Sequence, residues 1–154
     1  MPDTHHVVGS GEPIQAPERP VEDVTKVTTD VVDVIQGYKA MEDRAEPDLL
    51  PVVQRLLALH ETHAAELFEH LQQIGGDADE AGSMMGLVHQ AVATGRDWFD
   101  GLDASAEPAL IRGERRLIDT YDTAVAATLR FDETRQMLER QRDALKAQVD
   151  ALEA

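Results

Sequence analysis

Residues 49–76, LLPVVQRLLALHETHAAELFEHLQQIGG, decide the fold of this chain. Apolar side chains recur in this stretch at intervals of three and four residues, which places them on one face of an α-helix. Those side chains are Leu49, Val52, Val53, Leu56, Leu59, Leu67, Leu71 and Ile74. Pro47-Asp48 precedes the stripe and Gly75-Gly76 follows it, so the sequence predicts a helix over about 48–74.

A second stripe with the same spacing precedes this helix and predicts another helix over about 21–45. Its members are Val24, Val27, Val31, Val34, Ile35, Tyr38 and Met41. Because the connection between the two helices is short, we expect them to form an antiparallel hairpin. Residues 1–20 hold four of the seven prolines and show no such period, so we expect a flexible tail before a helical domain at 21–154.

Three more amphipathic segments follow, at about 82–102, 107–129 and 132–152. No stretch shows the alternation that is typical of a half-buried strand, so the predicted class is all-α. Together with the first hairpin, these segments predict an antiparallel helical bundle.

The last segment carries Leu138, Leu145 and Leu152 at intervals of seven residues, the spacing of a coiled-coil seam. Three heptads are too few to demand a dimer, so we expect these leucines and Phe131 to pack on the bundle of their own chain. The same helix then leaves its acidic side chains, Glu139, Asp143 and Asp150, in water.

Composition excludes several classes of function. Thirty acidic and fourteen basic residues give a net charge of −16, which disfavours binding to nucleic acid or to an anionic membrane surface. The chain has no cysteine, so disulfides, thiolate metal sites and cysteine nucleophiles are excluded. No apolar run approaches the roughly 20 residues of a membrane span, and we expect a cytoplasmic protein.

Polar side chains on the apolar faces are the candidate functional residues. His60 lies near the middle of the 49–76 stripe with His63 on the same side, and Glu114 lies between Leu110 and Leu117 on the next helix but one. Imidazoles and carboxylates that face the inside of a helical bundle are typical of sites for a divalent metal such as iron. Glu66, further round its helix, completes the candidate metal set.

These residues also have a structural interpretation, in which carboxylates, backbone groups or water satisfy them. We expect Glu114 to be buried and hydrogen-bonded or ion-paired, because an unpaired carboxylate in a core is costly. Glu42, which also falls on an apolar stripe, is expected to form a salt bridge with Arg55. The adjacent His5-His6 pair could ligate a metal, but on a flexible tail it is expected to be solvated.

The signature of a two-metal carboxylate site is missing. Such sites take a Glu-x-x-His pair from each of two helices, and this chain contains no Glu-x-x-His. The last helix offers Thr134, Gln141 and Gln148 on its inward flank and supplies no strong metal ligand. We therefore expect at most one metal ion, since two divalent ions would leave an uncompensated positive charge in the core.

Other chemistries lack their motifs, since the chain has no glycine-rich phosphate loop and no nucleophile elbow. Two hypotheses remain. The first is a non-catalytic, acidic module that forms a homo-oligomer or binds a partner protein. The second is a metal-binding protein that uses His60, His63 and Glu114 in handling iron, oxygen or peroxide. Enzymatic activity stays open, and the sequence favours its absence.

Several short motifs together resemble a known family. They are Gly37-Tyr38, His63-Ala64-Ala65-Glu66-Leu67, Ile74-Gly75-Gly76, Gly82-Ser83-x-x-Gly86-x-x-His89 and Arg112-Gly113-Glu114. As a set, over about residues 22–130, they resemble bacterial domain-of-unknown-function proteins classed as ferritin-like four-helix bundles, in the superfamily of ferritin and rubrerythrin. The resemblance implies two helical hairpins joined by a connecting helix. It further implies kinship with proteins that bind two metal ions and are linked to oxidative stress or iron handling.

Overall fold

A computed structural model describes residues 19–75 and 107–154 of the chain. These residues form four α-helices: α1 (Val21–Glu42), α2 (Leu50–Gln73), α3 (Glu107–Ala127) and α4 (Asp132–Glu153). No strand occurs in these two ranges, which agrees with the predicted all-α class. The predicted helix at 82–102 and all but two residues of the predicted tail lie outside the described residues.

The ends of α2 follow from local sequence. Backbone turns at Glu46 and Leu49 lead into the helix, and Pro51 lies in its first turn, where the missing N–H is no loss. Gly75 has a φ of +92°, a left-handed conformation that ends the helix at low cost only for a residue without a Cβ atom. The predicted boundaries at 48 and 74 therefore lie within two residues of the observed ones.

The core is formed by the predicted stripes. Its fully buried aliphatic side chains are Val24, Val27, Val31, Val34, Ile35, Val53, Leu56, Leu67, Leu110, Leu117, Leu138 and Leu145. All four helices contribute, and each such side chain stabilises the fold by about 1.5–3 kcal/mol relative to exposure. A single aliphatic core therefore surrounds the polar candidates on α2 and α3.

Contacts between side chains fix the helix directions. The Lys39 ammonium lies 3.8 Å from Glu61, which makes α1 and α2 antiparallel neighbours together with their seven-residue connection. Thr120 donates a hydrogen bond of 2.9 Å to Asp30. This contact lies earlier on α1 and later on α3 than the Tyr38–Glu114 contact, so α1 and α3 are antiparallel as well. Because α1 opposes both, α2 and α3 run in the same direction.

The fourth helix closes the bundle against α2 and α3. Arg55 donates to Gln148 at 2.9 Å and His70 contacts Thr134 at 2.7 Å, so α4 is antiparallel to α2. Arg142 pairs with Asp122, and α3 and α4 form the second hairpin. In the described residues, each hairpin thus packs against the other through two antiparallel contacts, α1 on α3 and α2 on α4.

The seven-residue repeat of α4 is used within the chain, as predicted. Leu138 and Leu145 are fully buried, and the half-buried Leu152 packs against the core near the end of the helix. Phe131, just before the helix, is half-buried and is not among the side chains packed against that core. Asp143 and Asp150 are exposed as expected. Glu139 also lies on the solvent side of α4, where its partly exposed carboxylate pairs with Arg135 one turn earlier at 3.0 Å.

One expectation about surface carboxylates is wrong. The Glu42–Arg55 salt bridge does not form, because Arg55 reaches across to Gln148 of α4. Glu42 instead accepts a long hydrogen bond of 3.5 Å from Gln54.

Candidate functional site

Glu114 is the centre of the candidate site. It lies on the inward face of α3 and is fully buried, as the sequence predicted. Its Oε2 atom accepts a hydrogen bond of 2.6 Å from the Tyr38 hydroxyl and lies 2.8 Å from Nε2 of His60. Residues from α1, α2 and α3 therefore meet at one carboxylate oxygen.

Tyr38 is a partner of Glu114 that was not predicted from the sequence, where it appears in the apolar stripe on α1 and in the Gly37-Tyr38 motif. Burial, followed by the charge of Glu114 and the hydrogen bond to it, raises the pKa of Tyr38 well above its usual value. The phenol therefore keeps its proton and acts as a donor. The one available signal was chemical, because a buried tyrosine hydroxyl usually has a hydrogen-bond partner.

His60 is held between these two residues. Its ring stacks on the ring of Tyr38, with centroids 5.6 Å apart and an angle of 21° between the planes. Its Nε2 atom faces Oε2 of Glu114, and the tautomer with its proton on Nε2 donates a hydrogen bond to this oxygen. The Nδ1 atom of the same ring is buried, and no group of the described residues hydrogen-bonds to it.

His63 lies one turn further along α2, as its spacing predicted. Its ring meets that of His60 edge to face, with the centroids 6.5 Å apart. Burial, and next the neighbouring His60, lower the pKa of His63 to about 4, so this imidazole is neutral at pH 7. Its Nδ1 atom is also buried without a hydrogen-bond partner among the described residues.

Glu66 is placed differently from the rest of the predicted set. Its side chain is 35% exposed and forms two hydrogen bonds with the Arg140 guanidinium, at 3.0 and 2.8 Å. The bond to Arg140 is also the main reason why the pKa of Glu66 is lowered. The charge of Glu66 is thus balanced at the surface, by a partner on α4.

Gln141 joins this surface pair to the core. Its amide nitrogen donates to Glu66 at 2.8 Å and more weakly to the backbone oxygen of His63 at 3.4 Å. Its amide oxygen accepts from the buried Tyr121 hydroxyl at 2.7 Å. The sequence placed Gln141 on the inward flank of α4 but assigned it no role, and the structure shows that it links three helices.

Three polar atoms at the centre remain without a hydrogen-bond partner in the described ranges: Nδ1 of His60, Nδ1 of His63 and Oε1 of Glu114. A buried polar atom without a partner costs roughly 1–3 kcal/mol, so an arrangement with three of them calls for an explanation. Within residues 19–75 and 107–154, no three His, Asp or Glu side chains are arranged to hold a metal ion together. The structure therefore places His60, His63 and Glu114 together in the core. A hydrogen bond joins His60 to Glu114, and ring packing joins His60 to His63. Glu66 lies apart from them, paired with Arg140 at the surface.

No helix in the described ranges is long and apolar enough to cross a membrane.

Comparisons with known proteins give one match. Neither a curated protein nor a solved structure matches the chain. The sequence model of one family, described as "Domain of unknown function (DUF2383)", matches residues 20–127. That match spans α1 to α3 with the whole Tyr38–Glu114–His60 cluster and covers more than half of the 154 residues, so the chain belongs to this family.

Proposed function

We propose that this protein is a non-catalytic, acidic helical module that works by association, as a homo-oligomer or with a protein partner. One observation carries the proposal. His60 and Glu114, the side chains best suited to chemistry, are fully buried and bound to each other and to Tyr38. Among the described residues, their side chains are closed off from solvent and support the core.

The surface charge indicates the kind of partner. A groove of about 310 Å³ lies between α2 and α4 and is lined by Glu69, Glu133 and the Glu66–Arg140 pair. Among the described residues, neither Glu69 nor Glu133 has an ion-pair partner. With a net charge of −16, the protein attracts basic surfaces over distances comparable with the Debye length.

Sedimentation velocity over a range of protein concentrations, alone and with cellular extract, tests the proposal. In the extract we expect a complex with a basic partner, larger than the monomer, that dissociates towards 1 M salt, where the Debye length is about 3 Å. A homo-oligomer should instead persist in salt, because salt screens the repulsion between chains that each carry −16. Glu69→Lys with Glu133→Lys should weaken association more than Glu46→Lys with Asp150→Lys, a matched double change at the opposite end of the bundle. A monomer under every condition would contradict the proposal.

The metal-binding hypothesis is a second candidate, favoured by the two buried imidazole nitrogens without partners. In it, His60, His63 and Glu114 hold iron or another divalent ion, and the protein takes part in iron or peroxide handling. Metal analysis of protein purified without an affinity tag, followed by an assay of iron(II) oxidation, tests it. Metal-free protein that binds no added ion would exclude this candidate.

We also propose that the bundle is ferritin-like. Ferritin-like folds join two helical hairpins by one long crossover, and the parallel direction of α2 and α3 supports such an arrangement. Distances between spin labels at the starts of α2 and α3 provide the test, because parallel helices bring these starts to the same end. A separation near the full length of a helix would contradict it. Bacterial origin and a cytoplasmic location stay predictions.

A further inference from the structure

The two hairpins of the bundle meet at two interfaces, α1 on α3 and α2 on α4. The α1–α3 interface contains the buried hydrogen bond from Tyr38 to Glu114. Among the described helices, the backbones of α2 and α4 approach each other over a shorter stretch than those of any other packed pair. A separation of α2 from α4 would therefore break the less extensive of the two interfaces and leave the Tyr38–Glu114 bond in place.

The groove of about 310 Å³ lies in the α2–α4 interface, towards one end of the bundle. It follows α2 from Glu66 to Gln73 and α4 from Glu133 to Arg140. Its inner end is the partly exposed Glu66–Arg140 pair, and the buried His63 lies one turn before Glu66 on α2. The Glu66–Arg140 pair thus lies between the solvent in the groove and the polar cluster of the core.

Three side chains, which we call the latch, join α2 to α4 at this point: Glu66, Arg140 and Gln141. Arg140 donates to both carboxylate oxygens of Glu66, at 3.0 and 2.8 Å. Gln141 donates to Glu66 at 2.8 Å and to the backbone oxygen of His63 at 3.4 Å. Because exposed ion pairs are weak and are screened by salt, the latch breaks more readily than the aliphatic core around it.

We propose that the closed bundle opens locally at the latch, and that this opening is the route by which small molecules reach His63 from the groove. The opening is a movement of one hairpin against the other, with the helices themselves intact. Local openings of this kind require less free energy than global unfolding. The inference is independent of both candidate functions, because it concerns access to the core cluster and not what the protein binds.

The test is modification of the full chain by diethyl pyrocarbonate, followed at each histidine by mass spectrometry. The reagent acylates neutral imidazole, which is the form of His63 at pH 7. Arg140→Met removes the guanidinium of the latch, whereas the matched control Arg142→Met removes the pair with Asp122 inside the second hairpin. We expect His63 to react about fivefold faster in Arg140→Met, the ratio that corresponds to a well-formed exposed ion pair, and at an unchanged rate in Arg142→Met.

Urea and salt separate local opening from unfolding. Below the unfolding transition, the rate at His63 should be nearly independent of urea, because local opening exposes little surface. Sodium chloride at about 1 M should raise this rate in the unaltered protein but not in Arg140→Met.

Three results would each overturn the inference. They are an equal rate at His63 in Arg140→Met and the unaltered protein, an equal acceleration in both methionine variants, and a rate that rises steeply with urea. A salt effect that persisted in Arg140→Met would also contradict it. In all these cases the association and metal-binding proposals would be unaffected.

Discussion

At the scale of single residues, the central polar contact of the core joins Glu114 to Tyr38 and His60. The carboxylate has one oxygen with two hydrogen-bond contacts and one oxygen with none among the described residues. Its loss of water is thus only partly compensated, and each remaining contact matters more. A network of buried polar groups of this kind can stabilise the fold by more than the sum of its separate pairs.

Tyr38→Phe is expected to lower the free energy of unfolding by about 1–3 kcal/mol, because it removes a donor to Glu114 while keeping the ring. Urea unfolding of Tyr38→Phe, Glu114→Gln and the double variant measures the coupling between the two side chains. We expect a coupling energy of about 0.5–3 kcal/mol. Additive effects would show that the bond to Tyr38 contributes nothing to stability.

His63 should make stability depend on pH. The folded protein binds a proton on this ring only near pH 4, whereas the unfolded chain does so near its ordinary pKa of 6.5. Stability is therefore complete above pH 6.5 and is lost as the pH falls towards 4, by about 3 kcal/mol in all.

Denaturant unfolding between about pH 7 and pH 5, with a chelator present, measures this effect above the range in which most carboxylates titrate. His63→Gln should flatten the dependence in that interval. An equal slope in the variant and the unaltered protein would assign the pH dependence to other groups.

At the scale of elements, α4 carries a seven-residue leucine repeat that could pack within its own chain or against a second chain. Its heptad leucines lie in the core of their own chain, and its polar side chains contact α2 and α3 through Arg140, Gln141 and Arg142. These surface ion pairs add little by themselves, since exposed pairs are typically worth about 0–1 kcal/mol. The leucines hold the helix in place.

Leu145→Ala should accordingly lower the free energy of unfolding by about 2–5 kcal/mol, because it leaves a cavity in a closed core. Lys146→Ala, the exposed neighbour on the same turn, should change it by less than about 0.5 kcal/mol. Thermal or urea unfolding at two protein concentrations is the measurement. A loss in Leu145→Ala that disappeared on dilution would place the leucine between chains instead.

The sequence predicted where the four described helices lie, but it did not predict which side chains pair between them. Apolar spacing is a local property, so the stripes and the burial of Glu114 could be predicted. Which helices meet depends on packing between distant segments, and periodicity treats Tyr38 like any other inward residue. For the same reason the pairing of Glu66 with Arg140, 74 residues away, could not be read from either helix alone.

At the scale of the whole molecule, the net charge of −16 opposes compaction, because like charges repel across the bundle. Screening should relieve this repulsion. We expect the Tm to rise between about 0.01 M and 0.15 M sodium chloride, as the Debye length falls from about 30 to 8 Å. Scanning calorimetry in salt, with sucrose as an uncharged control, is the measurement. A falling Tm would mean that the ion pairs contribute more than the repulsion.

The meeting of three helices at Glu114 also has a consequence for the order of folding. Tyr38 and Glu114 are 76 residues apart, and His60 and Glu114 are 54 apart, whereas each hairpin can form through much closer contacts. Closing a long stretch of chain is entropically costly and slow, so the hairpins are expected to form before they dock. Until they dock, the Glu114 carboxylate has neither of these partners. In an isolated second hairpin, formed by α3 and α4, this carboxylate would stay in water, and the apolar side chains around it would be exposed with it. Such a hairpin would be a short-lived intermediate.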